Sequence, residues 1–103
     1  MLLLFGGSGY AGAKPADQAF SAGLAGTAGG LGLRDAAAKL VDSVGYGSAT
    51  NAFVETHPAA APPSTAPPGS SDIRLPDGRD ADDNSADFAV TAAPTPGGPN
   101  VAG

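Results

Sequence analysis

A chain of 103 residues has room for one small domain, and its net charge of −5 and pI near 4.3 exclude the basic surface that nucleic acid or an anionic membrane would require. The hydrophobic fraction is 42%, but about half of it is alanine; only 18 residues are Leu, Ile, Val or Phe. Gly 16 and Pro 10 make up about a quarter of the chain, so little large apolar surface is left to offset an ordering entropy of roughly 1–2 kcal/mol per residue.

No cysteine is present, which removes disulfides and thiolate chemistry. The five basic residues, Lys14, Arg34, Lys39, Arg74 and Arg79, are scattered and form no stripe. The opening MLLLF is too short for the apolar region of a signal peptide and lacks basic residues before it. No run reaches membrane-spanning length, so no membrane span is expected.

In chain order, LLLF (2–5) reads as a buried strand. Residues 6–30 read as a Gly/Ala-rich irregular loop or weak hairpin carrying Tyr10, Phe20 and Leu24. GLGLR (30–34) and LVDSVGY (40–46) alternate as two strands of a β-hairpin around a turn at Asp35. A competing helix would start at Asp35 as its cap and run through AAAKLVDSV. Residues 56–70 form a Pro-rich extended loop, DIRLP (72–76) a short strand, 77–87 an acidic turn, and DFAVT a last strand; the tail APTPGGPNVAG is expected to be extended and then frayed. Short strands with Gly, Pro and Asp turns give an all-β chain.

Gly7-x-Gly9-x-x-Gly12 after an apolar run has the spacing of a dinucleotide fingerprint, with Asp35 as a ribose ligand. The fingerprint needs a helix whose first amides face the pyrophosphate. The following AGAKPADQAFSAGLAGTAGG carries Pro15, Gly23, Gly26, Gly29 and Gly30, and each interior glycine costs up to about 1 kcal/mol relative to alanine. A turn-forming role for these glycines is therefore favoured over a cofactor site, and no cofactor is expected.

Asp80, Asp82 and Asn84 have the spacing that opens a calcium loop, but Ala86 stands where the loop needs Gly and no Glu closes it. Calcium through Asp77, Asp80, Asp82, Asp83 and Asp87 stays open beside the simpler reading, a solvated turn whose side chains bond nearby amides. His57 is the sole histidine, which offers neither a zinc set nor a nucleophile–base pair. No catalytic residue is assigned. Asp42 shares a strand face with Leu40, Val44 and Tyr46; if that face is buried it needs donors, from loop amides or from an arginine such as Arg74.

Two separated segments resemble the lamin-tail domain of bacterial exported proteins. The first, GLGLRDAAAKLVDSVGYG, supplies Leu31, Leu33, Asp35, Val41, Asp42, Val44, Tyr46 and Gly47. The second, RLPDGRDADDNSADFAVTAAPTPGGPN, supplies Arg74, Gly78, Asp80, Asp82, Asp83, Asn84, Asp87, Phe88, Thr95, Pro96, Gly97 and Asn100. Ala38 stands where a Gly is common in the family turn, and the family's opening strands, with their Asn-Glu pair, have no counterpart.

The resemblance implies an immunoglobulin-like β-sandwich lacking its N-terminal strands, with a single partial domain over 1–100 and a tail at 101–103. It implies a non-catalytic interaction or tethering module, accessory to envelope or secreted nucleases and other hydrolases. A protein partner or parent domain is expected, with an extracellular or cell-envelope setting and neither direct nucleic-acid contact nor a small-molecule substrate. The expected signature residues are Asp42, Tyr46, Arg74, Asp80, Asp83, Asn84, Asp87 and Phe88.

Overall fold

A computed structural model describes residues 3–21, 23–62 and 70–102. Six short strands and one helical turn follow in the order β1 (Phe5–Gly6), β2 (Gln18–Ala19), β3 (Ala28–Arg34), β4 (Leu40–Gly47), β5 (Ser71–Arg74), α1 (Asn84–Asp87) and β6 (Phe88–Thr91). They pair in twos: β1 with β2 in parallel, β3 with β4 and β5 with β6 antiparallel. The chain is strand-rich with little helix, and no helix among the described residues is long and apolar enough to cross a membrane.

The β3–β4 hairpin is the largest element and settles the competition with a helix. Asp35 decides it: its Oδ1 accepts from Ala37 N and Lys39 N, both at 2.9 Å, which closes a tight turn instead of capping a helix. The turn forces Ala38 to φ 64°. Leu31 then pairs with Val44, Leu33 with Asp42 and Gly29 with Tyr46. Segment 51–54 lies against the hairpin, close enough that a Cβ on Gly32 would strike Phe53 and one on Gly45 would strike Val54. On the far edge of β4, Ala59 exchanges backbone hydrogen bonds with Gly45 and Gly47, adding a third short run of chain.

The core is unusual in its chemistry. Among the described residues the buried hydrophobic ones are Tyr46, Ala59 and Ile73, whereas the largest fully buried side chains are Asn84, Thr91 and Asp87. The radius of gyration is 13.5 Å, close to that of an ordinary domain of about 100 residues, so a thin apolar core is packed to normal dimensions around polar side chains.

Several expectations are corrected. LLLF is not a buried strand: β1 begins at Phe5, and Leu3 and Phe5 are 61% and 58% exposed. Among the described residues, only the two-residue β2 pairs with β1, and Leu2 lies outside them. Of the two readings of 6–30, the irregular loop fits and the hairpin does not: β2 pairs with β1 in parallel, and β3 already begins at Ala28. The strand face of Asp42 is only partly covered: Leu40 is exposed, Asp42 and Val44 are half-buried, and Tyr46 is buried. The acidic turn is not simply solvated, since Asn84 and Asp87 within it are wholly buried. The tail is held as far as Asn100, which donates from Nδ2 to Arg74 O at 2.8 Å and from its backbone to Asp77 Oδ1 at 2.9 Å. Residues 63–69 of the Pro-rich loop lie outside the described residues.

Candidate functional site

The signature residues gather around α1. Asp83 caps this one-turn helix by accepting from Ser85 N. Asn84, the first helical residue, is buried against β4 and the 55–57 loop. Its Oδ1 accepts from Gly45 N at 2.9 Å and Glu55 N at 2.8 Å, and its Nδ2 donates to Ser43 O at 3.2 Å and Glu55 Oε1 at 3.1 Å. One amide side chain thus satisfies four groups on two segments more than 25 residues away in sequence. The backbone adds Asn84 N to Glu55 O and Ser85 N to His57 O.

Asp87 closes the loop on the other side. Its carboxylate accepts from Ala81 N at 2.9 Å, Arg79 Nε at 3.3 Å and Asp83 N at 3.4 Å. These donors satisfy a carboxylate that has no exposed surface.

Arg74 on β5 links this unit to the hairpin. Its Nη2 donates to Asp42 Oδ2 at 2.7 Å, its Nη1 donates to Arg79 O, and Asp80 stands at 3.9 Å. The guanidinium lies over the Phe88 ring, 4.6 Å from its centroid. Tyr46 reaches the other way, its hydroxyl donating to Ala25 O and its ring lying under Gly29, where a Cβ would not fit.

Glu55, which the sequence motifs do not mark, belongs to the same cluster. Asp42, Glu55 and Asp80 bring carboxylate oxygens within 4.8 Å of one another. Loss of water around Glu55 raises its pKa above the usual carboxylate value, helped by Asp80, Asp42 and Asp82 and opposed by the Asn84 hydrogen bond. A cation here would draw on a different set from the one the sequence spacing suggests, sharing only Asp80. Arg74 already supplies positive charge to two of the three carboxylates.

A second small cluster sits at the surface. His57 Nδ1 lies 3.3 Å from Asp83 Oδ2, and Ser85 Oγ donates to Asp83 Oδ1 at 2.8 Å. The Ser85 hydroxyl bond comes first among the influences that lower the Asp83 pKa, and His57 adds to it. The carboxylate stands between serine and histidine here. Activating a serine requires the histidine in the middle position, within reach of the hydroxyl proton.

Gly7 and Gly9 form a turn, with Tyr10 N donating to Gly7 O at 3.0 Å and Gly9 at φ 79°. Irregular chain and the two-residue β2 follow, so among the described residues no helix N-terminus faces these glycines. Models of protein families, curated proteins and solved structures were all compared with the chain, and none matches.

Proposed function

We propose that the chain is a non-catalytic interaction or tethering module with a lamin-tail-like β-sandwich fold. The observation that carries this reading is the convergence of two distant segments. Asp42 of the first pairs with Arg74 of the second, which lies over Phe88 and beside Asp80, and Gly45 N of the first donates to Asn84 of the second, while Tyr46 points away from this unit. Their polar atoms are engaged with backbone amides and with each other, which is what structural residues do. The β3–β4 and β5–β6 pairs lie on either side of an apolar cleft, in keeping with the two layers of a sandwich. The resemblance further suggests an accessory role beside exported hydrolases, with a protein as partner.

Two measurements test it. Nuclear Overhauser contacts between the Arg74 side chain of β5 and the Asp42 side chain of β4 should be present in solution; their absence would remove the two-layer arrangement. Purified chain should hydrolyse neither DNA nor simple phosphoesters above a vector control, and turnover abolished by His57→Ala would overturn the non-catalytic reading.

A calcium-stabilised module is a second reading, favoured by the Asp42, Glu55 and Asp80 oxygens alone. It requires the melting temperature to rise with calcium and fall with chelator. Arg74 already balances this cluster, so the expected result is no change.

A further inference from the structure

The sequence holds a single aspartate or asparagine followed by glycine, Asp77–Gly78, in the connection between β5 and α1. Arg79 N donates to Pro76 O at 3.1 Å and closes a turn there, with Gly78 at φ 71°. Both residues of the pair are exposed. Among the described residues Gly78 N has no hydrogen-bond acceptor, and a Cβ on Gly78 would meet nothing within 4 Å. The two oxygens of the Asp77 carboxyl are not alike. Oδ1 accepts from Asn100 N at 2.9 Å, and Oδ2 has no protein donor among the described residues. A nucleophile adding to Cγ would place charge on Oδ1, where the Asn100 amide stands ready to stabilise it, and Oδ2 is left free to depart.

We propose that Asp77–Gly78 is a site of spontaneous backbone isomerisation, assisted by the Asn100 amide, and that conversion there frees the tail. Gly78 N adds to Cγ of the protonated Asp77 carboxyl. The Gly78 N–H proton and the Oδ2 hydroxyl leave together as water, and a five-membered imide closes. Water then adds to the main-chain carbonyl carbon of Asp77 and breaks its bond to Gly78 N, which regains a proton. The main chain now runs through Cγ, one methylene longer, and the former main-chain carbonyl ends as a free carboxylate. One water leaves and one enters, so mass is unchanged and nothing is oxidised or reduced. Glycine suits the second position because it has no Cβ beside the attacking nitrogen. The extra methylene falls inside the Pro76–Arg79 turn. Asp77 Oδ1 holds Asn100 from that turn, while Arg79 O accepts from Arg74 Nη1 and Arg79 Nε donates to Asp87, so the tail and these arginine contacts lose their common support. The inference concerns the covalent chemistry of the chain itself and does not depend on the interaction-module reading.

Ageing of the full chain at 37 °C and pH 6 for several weeks tests it, with isoaspartate located by electron-transfer mass spectrometry. Isoaspartate should accumulate at Asp77 about tenfold faster than at Asp80, Asp82 or any other aspartate. Asp77→Glu, which would need a six-membered ring, should form no such product. Asn100→Pro removes the amide donor and should slow the reaction about tenfold, whereas Asn100→Ala keeps that donor and should leave the rate unchanged. In the isomerised fraction the Asn100 amide should exchange with solvent faster than in the fresh chain. No isoaspartate at Asp77, equal rates at other aspartates, an unchanged or faster reaction in Asn100→Pro, or retained protection of the Asn100 amide would each overturn the proposal.

Discussion

Asn84 shows how one side chain can hold together a chain that is poor in apolar residues. Truncating it to alanine would leave the Gly45 and Glu55 amides without acceptors in a closed environment. Each orphaned amide costs about 1–3 kcal/mol, so Asn84→Ala is expected to lose roughly 2–4 kcal/mol in urea denaturation, a large share of the stability of a small domain. A loss below about 1 kcal/mol would mean that water replaces the amide. Asp72 makes the opposite prediction. Its folded pKa is raised to about 6, so its contribution favours folding at low pH and is lost as pH rises through that value. Asp72→Asn should therefore stabilise the chain at pH 7.5, by on the order of 1 kcal/mol after allowing for its partial exposure, and change little at pH 4. Thermal melts at the two pH values check this, and an effect of equal size at both would contradict it.

At the scale of elements, the β3–β4 hairpin carries the clearest sequence signal and also a local conflict. Asp35 organises the turn, but Ala38 is held at φ 64°, in the left-handed region that glycine occupies without penalty. Ala38→Gly should stabilise the hairpin by about 0.5–1 kcal/mol, measured as a higher urea midpoint at unchanged slope. Gly47 is the reverse case: at φ 70° it faces the Thr27 carbonyl so closely that a Cβ has no space. Gly47→Ala should destabilise by about 2 kcal/mol or more, and a neutral result would show that the chain near Thr27 can move aside. The helical turn α1 is too short to persist by itself. It exists because Asp83 caps it and because Asn84 and Asp87 are tied to chain on either side.

In the whole molecule the two antiparallel pairs are joined mainly by polar groups. Arg74 bridges to Asp42, and the α1 unit bridges to β4. Because those links run through both pairs, unfolding followed by tyrosine fluorescence and by circular dichroism should give one coincident transition. Two separate midpoints would mean that the hairpin melts apart from the β5–β6 unit. The apolar cleft is the counterpart of this arrangement: with the polar bridges placed around α1, Leu31 remains 43% exposed and Leu33 61% exposed.

Composition and alternation by themselves determined the strand-rich character and the hairpin with its Asp35 turn, because these depend on neighbours a few residues apart. The 77–87 segment was legible as a turn rich in Asp and Asn. That Asn84 and Asp87 lie inside the molecule was not, because burial depends on which distant chain packs against them. Glu55 had no marker in AFVETHP, since its place in the cluster comes from contacts with residues 80–84. LLLF misled for the same reason: an apolar run is buried only if another element covers it, and among the described residues only the two-residue β2 pairs with it. Tertiary structure alone decided the polar core, the Arg74 bridge and the unpaired Asp72, because each depends on groups brought together from segments distant in the chain.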